Sequence, residues 1–265
     1  MTLFMELGCR LHQSLSFSNS FTEIPKAEAV FWPGCSLMTL GYDILAKTTK
    51  VLSRSEPSIK LAAACCGKPT RAMQWPVYEK RKNFLLDSFA KQGIKRIYTA
   101  CPNCTLDLMA LGKEGDFEVH TIWQSLENNL QKSDLPFLKG DIYIHDPCPL
   151  RKYPQTREAV RSLLRTAGIA YKEPANTGAR TICCGNAEML NVKNPTASKK
   201  VLDLRLKDFP ENAIITSQCQ SCLMRFSAEG RKTAHVLELL FGSVTKSGWT
   251  ARYNMTQSIK REINA

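Results

Sequence analysis

The sequence predicts an α/β protein made of two pseudo-symmetric, parallel-sheet (Rossmann-like) domains that arose by internal duplication. Three observations predict it. Short β-branched and apolar runs alternate with amphipathic helical stretches, as βαβ units require. A pattern of five cysteines, Cys then Cys-Cys-Gly then Cys-x-x-Cys, occurs twice. Equivalent positions keep a near-constant separation, 113 residues from Cys35 to Cys148 and 118 from Cys65 to Cys183. So regular an offset marks a repeat.

The first copy opens with the apolar run Ala27 to Trp32, followed by Pro33-Gly34-Cys35, and the second with Asp141 to His145, followed by Asp146-Pro147-Cys148. Ala64-Cys65-Cys66-Gly67 then matches Ile182-Cys183-Cys184-Gly185. Arg96 to Ala100 before Cys101-Pro102-Asn103-Cys104 matches Ile214 to Gln218 before Cys219-Gln220-Ser221-Cys222. Each copy closes on a similar element, Val119-His120-Thr121-Ile122 and Ala234-His235-Val236-Leu237. Between these points the spacing predicts helices. Pro76 to Gln92 has an N-terminal Pro, an apolar face of Phe84, Leu85 and Phe89, and Gly93 as a stop. Thr156 to Ala167 has Thr156 as N-cap, the face Val160, Leu163 and Leu164, and Gly168 at its end. Asn194-Pro195 opens a third, through Val201, Leu202, Leu204 and Leu206. The expected units are residues 27–130 and 141–241, joined by a linker from Gln131 to Gly140. A polar, basic extension over 242–265 follows as an appendage.

Composition bounds the function. The chain has 265 residues, 43% hydrophobic and 23% charged, which is ordinary for a globular protein. No run approaches the ~18 apolar residues that span a bilayer. The stretch from Met1 to Phe21 lacks the basic and apolar regions of a secretory signal, so a cytoplasmic location is expected. The formal charge of +12 raises a nucleic-acid reading. The 36 Lys and Arg are dispersed, however, and nowhere interleave with aromatics as a single-strand groove would. A solvated surface, or a basic face for an acidic redox partner, explains them better.

Ten of the eleven cysteines belong to the repeat. Each motif falls between a predicted strand and a predicted helix, which gathers the thiols at the carboxyl edge of a parallel sheet. Helix N-termini there favour an anionic metal–thiolate group. Three readings compete. Disulfides need an oxidising compartment, and a vicinal pair such as Cys65-Cys66 bridges only with strain. Structural zinc needs four ligands, and a four-cysteine site in one half meets that count. An iron–sulfur cluster accepts thiolates from scattered loops.

The pattern resembles the tandem cysteine-rich CCG domains in the disulfide-reducing subunit of heterodisulfide reductase. Related domains occur in the iron–sulfur subunits of anaerobic glycerol-3-phosphate, glycolate and lactate oxidation systems. Trp32-Pro33-Gly34-Cys35 and His145-Asp146-Pro147-Cys148 also look like the family's signatures, and the resemblance spans about Val30 to Phe241. It implies an oxidoreductase, or a subunit of one, with two noncubane-type [4Fe–4S] clusters. Cys35, Cys65, Cys66, Cys101 and Cys104 would hold one, and Cys148, Cys183, Cys184, Cys219 and Cys222 the other. It also implies a disulfide or thiol substrate between the halves. The alternatives are a pure electron-transfer subunit between a dehydrogenase and an acceptor, or a zinc-containing scaffold. Pro149, Asn186-Ala187-Glu188 and Gln218 depart from the family pattern without removing a thiol.

Other residues weigh less. His145, three before Cys148, is the candidate catalytic residue, as a proton donor or a hydrogen-bond partner of a cluster sulfide; a strand-end structural role competes. His120 and His235 read as structural, and Cys9 as a thiol outside the repeat. Lys68, Arg71 and Arg151 stand near motif cysteines, where they would meet an anionic substrate or plain solvent. No ferredoxin-type cysteine run and no G-x-G-x-x-G follows a strand. Electrons are therefore expected to come from a redox partner protein, ferredoxin-like or flavin-bearing, or from a free carrier.

Overall fold

The computed structural model describes residues 3–131, 141–242 and 248–264. After helix α1 (Leu3–Ser16), the first half runs β1 (Ala29–Trp32), α2 (Tyr42–Leu52), β2 (Lys60–Leu61), α3 (Lys68–Ala72), α4 (Val77–Gln92), β3 (Arg96–Thr99), α5 (Pro102–Leu111), β4 (Glu118–Thr121) and α6 (Ile122–Asn129). Its four strands are all parallel, in the order β2-β1-β3-β4. The second half runs β5 (Ile142–Ile144), α7 (Pro154–Thr166), α8 (Leu190–Lys193), α9 (Pro195–Leu206), β6 (Ile214–Ser217), α10 (Gln220–Ser227), β7 (Lys232–His235) and α11 (Val236–Phe241). Its sheet, β5-β6-β7, is also parallel. A lone parallel bridge between Tyr143 and Lys172 stands where β2 pairs with β1, so the second half keeps one contact of a fourth strand. The α/β duplication expected from the sequence is present.

The central strand β1, Ala-Val-Phe-Trp, is buried at all four positions because helices cover both faces of the sheet. On one side a continuous core joins the halves: Phe31, Leu45, Trp123 and Leu126 pack in one cluster with Ile144, Leu163, Leu237 and Leu240. The outer faces hold separate cores, around Trp32, Phe89 and Leu108 in the first half and around Leu202, Phe209 and Phe226 in the second. Both carboxyl edges are left to the connecting turns.

Local differences have identifiable causes. The helix expected from Thr156 begins at Pro154, whose fixed φ suits the first helical position, and Tyr153 is its N-cap. Asn194 does cap α9, its side chain accepting from the Ala197 N–H. Leu204 and Phe84, expected on buried faces, are 53% and 42% exposed. Phe84 still meets the ring of Phe17 edge-on. Apart from Gln131, the expected linker lies outside the described residues.

The C-terminal stretch is more than an appendage. Helix α12 (Trp249–Asn264) buries Ala251, Met255 and Ile259, one helical face, and the latter two join the core between the halves. Burying Met255 and Ile259 contributes about 1.5–3 kcal/mol each. With α1, this helix closes over the first half through Trp249 on His12 and Phe21 and through an Arg252–Ser16 hydrogen bond.

Candidate functional site: two cysteine strings at the sheet edges

The repeat cysteines sit on the turns and helix starts that follow the strands, except Cys183 and Cys184, which lie in a segment that follows no strand. Cys35 follows β1 and Cys148 follows β5, each at the start of a tight turn. Cys101 and Cys219 are the N-cap residues of α5 and α10, which places Cys104 and Cys222 in the first turns of those helices. The vicinal pairs end in Gly67 and Gly185, with φ of +79° and +84°, a left-handed conformation that glycine adopts at little cost. That turn aims the glycine N–H back at the first thiol of the pair. Gly185 N donates to Cys183 Sγ at 3.3 Å, and Gly67 makes the matching bond to Cys65.

Side chains then link the motifs into two strings of the same order. In the first half Cys35 Sγ lies 3.6 Å from Cys65, and the Cys65–Cys66, Cys66–Cys104 and Cys104–Cys101 thiols follow as neighbours that shift one another's acidity. In the second, Cys148 lies 3.6 Å from Cys183, followed by Cys184, Cys222 and Cys219. Gly34, at φ +84°, makes room for this: a Cβ there would stand 2.7 Å from Cys104 Sγ. Among the described residues, no group of three or more His, Cys, Asp or Glu side chains is drawn around one ion. The thiols form extended arrays.

The two strings share a charge pattern. The neighbouring Cys35 and Cys66 thiols hold the Cys65 thiol well below the ordinary range. Bonds from Cys148 and Cys184 bring Cys183 down to about 2. The partners Cys35 and Cys148 are pushed up by the same bonds and by burial. The leading cysteine of each vicinal pair is thus held toward the thiolate, and in the first string Cys101 is lowered as well, chiefly by Cys104.

Beneath the strings, Trp32 and His145 occupy equivalent strand ends. Both are fully buried, and both Trp32 Nε1 and His145 Nε2 lack a partner. Arg205 Nε donates to His145 Nδ1 at 3.1 Å, which puts the imidazole proton on Nε2. Burial, reinforced by Arg205, lowers the His145 pKa to about 3, so the ring is a neutral donor. His235 is likewise buried and lowered to about 3, and caps α11 by accepting from Leu237 N–H. His120, its counterpart, is half exposed beside Glu118. Because both folded pKa values lie below the unfolded value, the unfolded chain binds more protons between about pH 6.5 and 3. Stability is therefore expected to fall with pH through that window, by up to about 1.4 kcal/mol per pH unit for each ring. Urea titrations at pH 7 and 5 test this, and His235→Asn should flatten the slope.

A cavity of about 430 Å³ is lined from both halves by Cys9, His12, Cys35, Met189, Ser221 and Arg225, among others, with Cys35 the one repeat cysteine on its wall. Ser36 and Ser221 hydroxyls meet across it at 3.2 Å. Asn186 Oδ1, Asn191 Oδ1 and Arg225 Nε on its wall have no hydrogen-bond partner. A larger cavity, about 510 Å³ between α2 and α12, contains no cysteine and stands apart from this chemistry.

The flanking cations are mostly committed. Lys68 and Arg71 pair with Glu188 of the other half, Arg71 also with Asp107, and Arg151 donates to the Thr181 carbonyl. Glu188 and Met189 adopt positive φ, 47° and 61°, to make this clasp. Residues outside the repeat add to the site without having been legible in its pattern. Gln13, fully buried on α1, donates to Cys65 Sγ at 3.6 Å, and Cys9 stands near that same thiol.

A duplicated parallel-sheet protein with five thiols at each carboxyl edge is, as a class, a protein of paired cysteine-rich sites. The particular family follows from comparison: the cysteine-rich CCG domain matches residues 29–109 and 142–227, and the chain belongs to that family. An uncharacterized iron–sulfur protein of Methanocaldococcus jannaschii is 28% identical over 79% of this chain and 44% of its own length. An EtfAB:quinone oxidoreductase of Syntrophomonas wolfei is 26% identical over 66% of this chain and 26% of its own length. A probable membrane-anchored ferredoxin of Chromohalobacter salexigens is 26% identical over 42% and 17%, respectively. The chain thus spans less than half the length of these curated relatives. Among solved structures, a glutamate racemase of Campylobacter jejuni aligns over 88% of this chain and 84% of its own, at 13% identity and a TM-score of 0.33.

Proposed function

We propose that each cysteine string holds one noncubane-type [4Fe–4S] cluster, and that the pair carries electrons to or from a disulfide or thiol substrate in the cavity between the halves. Cys35, Cys65, Cys66, Cys101 and Cys104 are the ligands of one, and Cys148, Cys183, Cys184, Cys219 and Cys222 of the other. The observation that carries the reading is the string itself. Five thiols spaced as successive close pairs suit several irons better than one tetrahedral zinc ion. The names of the relatives, an iron–sulfur protein, a ferredoxin and a quinone oxidoreductase, point the same way. Residues 27–130 and 141–241 are then the two cluster-bearing units.

Bound clusters would supply one-electron steps. This chain's residues shape where they act. Cys35 faces the cavity, and Arg225 with the unpaired amide oxygens of Asn186 and Asn191 offers polar contacts to a substrate of small size. His145 serves as a hydrogen-bond donor under the second string; neutral across physiological pH and absent from the cavity wall, it holds its proton. Cleaving a disulfide takes two electrons and two protons and releases two thiols, so a redox partner, ferredoxin-like or flavin-bearing, supplies the electrons. No helix among the described residues is long and apolar enough to cross a membrane. We read the chain as cytoplasmic, where thiols stay reduced.

A second reading, a relay that only passes electrons between a dehydrogenase and an acceptor, draws on the longer relatives, of which this chain matches one part. Reoxidation of the reduced protein separates the two. Stoichiometric conversion of a small disulfide to thiols supports catalysis, and reoxidation by a protein partner alone supports the relay.

A further inference from the structure

A fully buried arginine with two unpartnered nitrogens stands over the first half. Arg252, on α12 and outside the repeat, is 1% exposed. Its Nη1 donates to Ser16 Oγ at 2.8 Å, its guanidinium lies 5.3 Å from the Phe21 ring centroid and 5.1 Å from that of Trp249, and Nε and Nη2 have no partner. Among the described residues no carboxylate pairs with it. Of the other buried arginines, Arg161 is paired with Asp146 and Glu173 and Arg205 with Asp208, and Arg157, 8% exposed, gives Nη1 to the Leu150 and Arg151 carbonyls. An arginine taken from water with no counter-charge is strongly destabilising unless an anion is brought to it.

The elements that hold Arg252, α12 and α1, both border the first string. The turn after Cys35, Leu37–Leu40, packs against α12, and Gly248 N donates to Thr39 O at 3.1 Å. Helix α1 joins the two: Ser16 accepts from Arg252, and Gln13, three residues earlier, donates to Cys65 Sγ at 3.6 Å. Ser16 and His12 fix the guanidinium from α1, and His12, lowered chiefly by burial, adds no charge of its own.

We propose that Arg252 is the fixed counter-cation of the cluster held by the first cysteine string, and that it makes that cluster the more readily reduced of the two. The inference rests on the reading of both strings as cluster sites. A cluster held in the first string would take up one electron from an external reductant, with no bond in the protein formed or broken. A positive charge held close in a low-dielectric site favours the form carrying the extra electron. The paired Arg205 beside the second string does so less, because Asp208 offsets it.

The test uses the full chain, anaerobically loaded with iron and sulfide, with each string isolated in turn: Cys219→Ser/Cys222→Ser leaves the first, and Cys101→Ser/Cys104→Ser leaves the second. Iron content shows whether clusters form at all, and its absence in the unaltered chain sinks the cluster reading rather than this one. Mediated redox titration followed by EPR then gives the two potentials. The first string is expected to be reduced at the higher potential. Arg252→Met in the first-string protein is expected to lower its one-electron equilibrium constant about tenfold, about 59 mV for one electron. Arg252→Lys should restore most of it, while the apo protein with Arg252→Met stays at least as stable as the unaltered apo chain. An apo fold that persists but no longer takes up iron in the first string also supports the role. An unchanged potential, a reversed order of the two strings, or an apo chain destabilised by Arg252→Met overturns it and leaves Arg252 a packing residue.

Discussion

A chain carrying Cys219→Ser and Cys222→Ser is expected to keep its fold and about half of its iron, all of it in the first string. Serine is close in size to cysteine, so replacing these two buried thiols costs mainly the burial of a hydroxyl, about 1–3 kcal/mol per site. Helix α10 keeps its N-terminal geometry, because the Cys219 backbone N–H bonds Ser217 Oγ and not the thiol. What is lost is chemical. A serine hydroxyl does not ionise near neutral pH, and these thiols are two of the five in their string, joined to the rest through Cys184. Iron analysis with circular dichroism reads both quantities. Full iron retention would place the second cluster elsewhere, and loss of all iron would mean that the strings assemble as one unit.

The second large effect falls on backbone. Gly185→Ala would place a Cβ 2.5 Å from the Ser198 carbonyl oxygen, at φ +84°. The left-handed conformation costs a non-glycine residue about 1–3 kcal/mol. The contact adds about 1–3 kcal/mol more, because the obstacle is backbone. Ser198 has little room to retreat, since its hydroxyl also donates to the Gly185 carbonyl at 2.7 Å. Gly67 is the control. It has nearly the same φ, but an added Cβ would meet only Phe17 and Thr70 side-chain atoms at 3.5 and 3.6 Å, ordinary contacts. Gly185→Ala is therefore expected to exceed Gly67→Ala in destabilisation by about 1–3 kcal/mol by urea unfolding. Equal losses would show that strain alone, and not the approach of α9, sets the cost.

The fold class and the placement of the repeat cysteines were legible because they depend on local signals: β-branched runs, proline and glycine punctuation, and a repeated cysteine spacing. The glycine after each vicinal pair is the local signal of the left-handed turns at Gly67 and Gly185. Helix starts were less so. Pro154 outcompeted Thr156, as a fixed φ at the first turn outweighs a polar cap two residues on. The lid over the first string lay outside the reach of the repeat, because α1 and α12 have no counterparts in it. Its one local signal was Ala251, Met255 and Ile259 at a spacing of four, set within a segment whose charges read as solvated surface. Arg252 hides in that segment: nothing local distinguishes a buried arginine from an exposed one. The Glu188 clasp on Lys68 and Arg71 joins residues 117 or more apart, a tertiary fact with no local trace.

Iron, acid-labile sulfide and zinc, measured on anaerobically purified chain, test the central claim most directly. Two four-iron clusters predict about eight iron and eight sulfide per chain, with zinc absent. Zinc in stoichiometric amount, without iron or labile sulfide, would contradict the account.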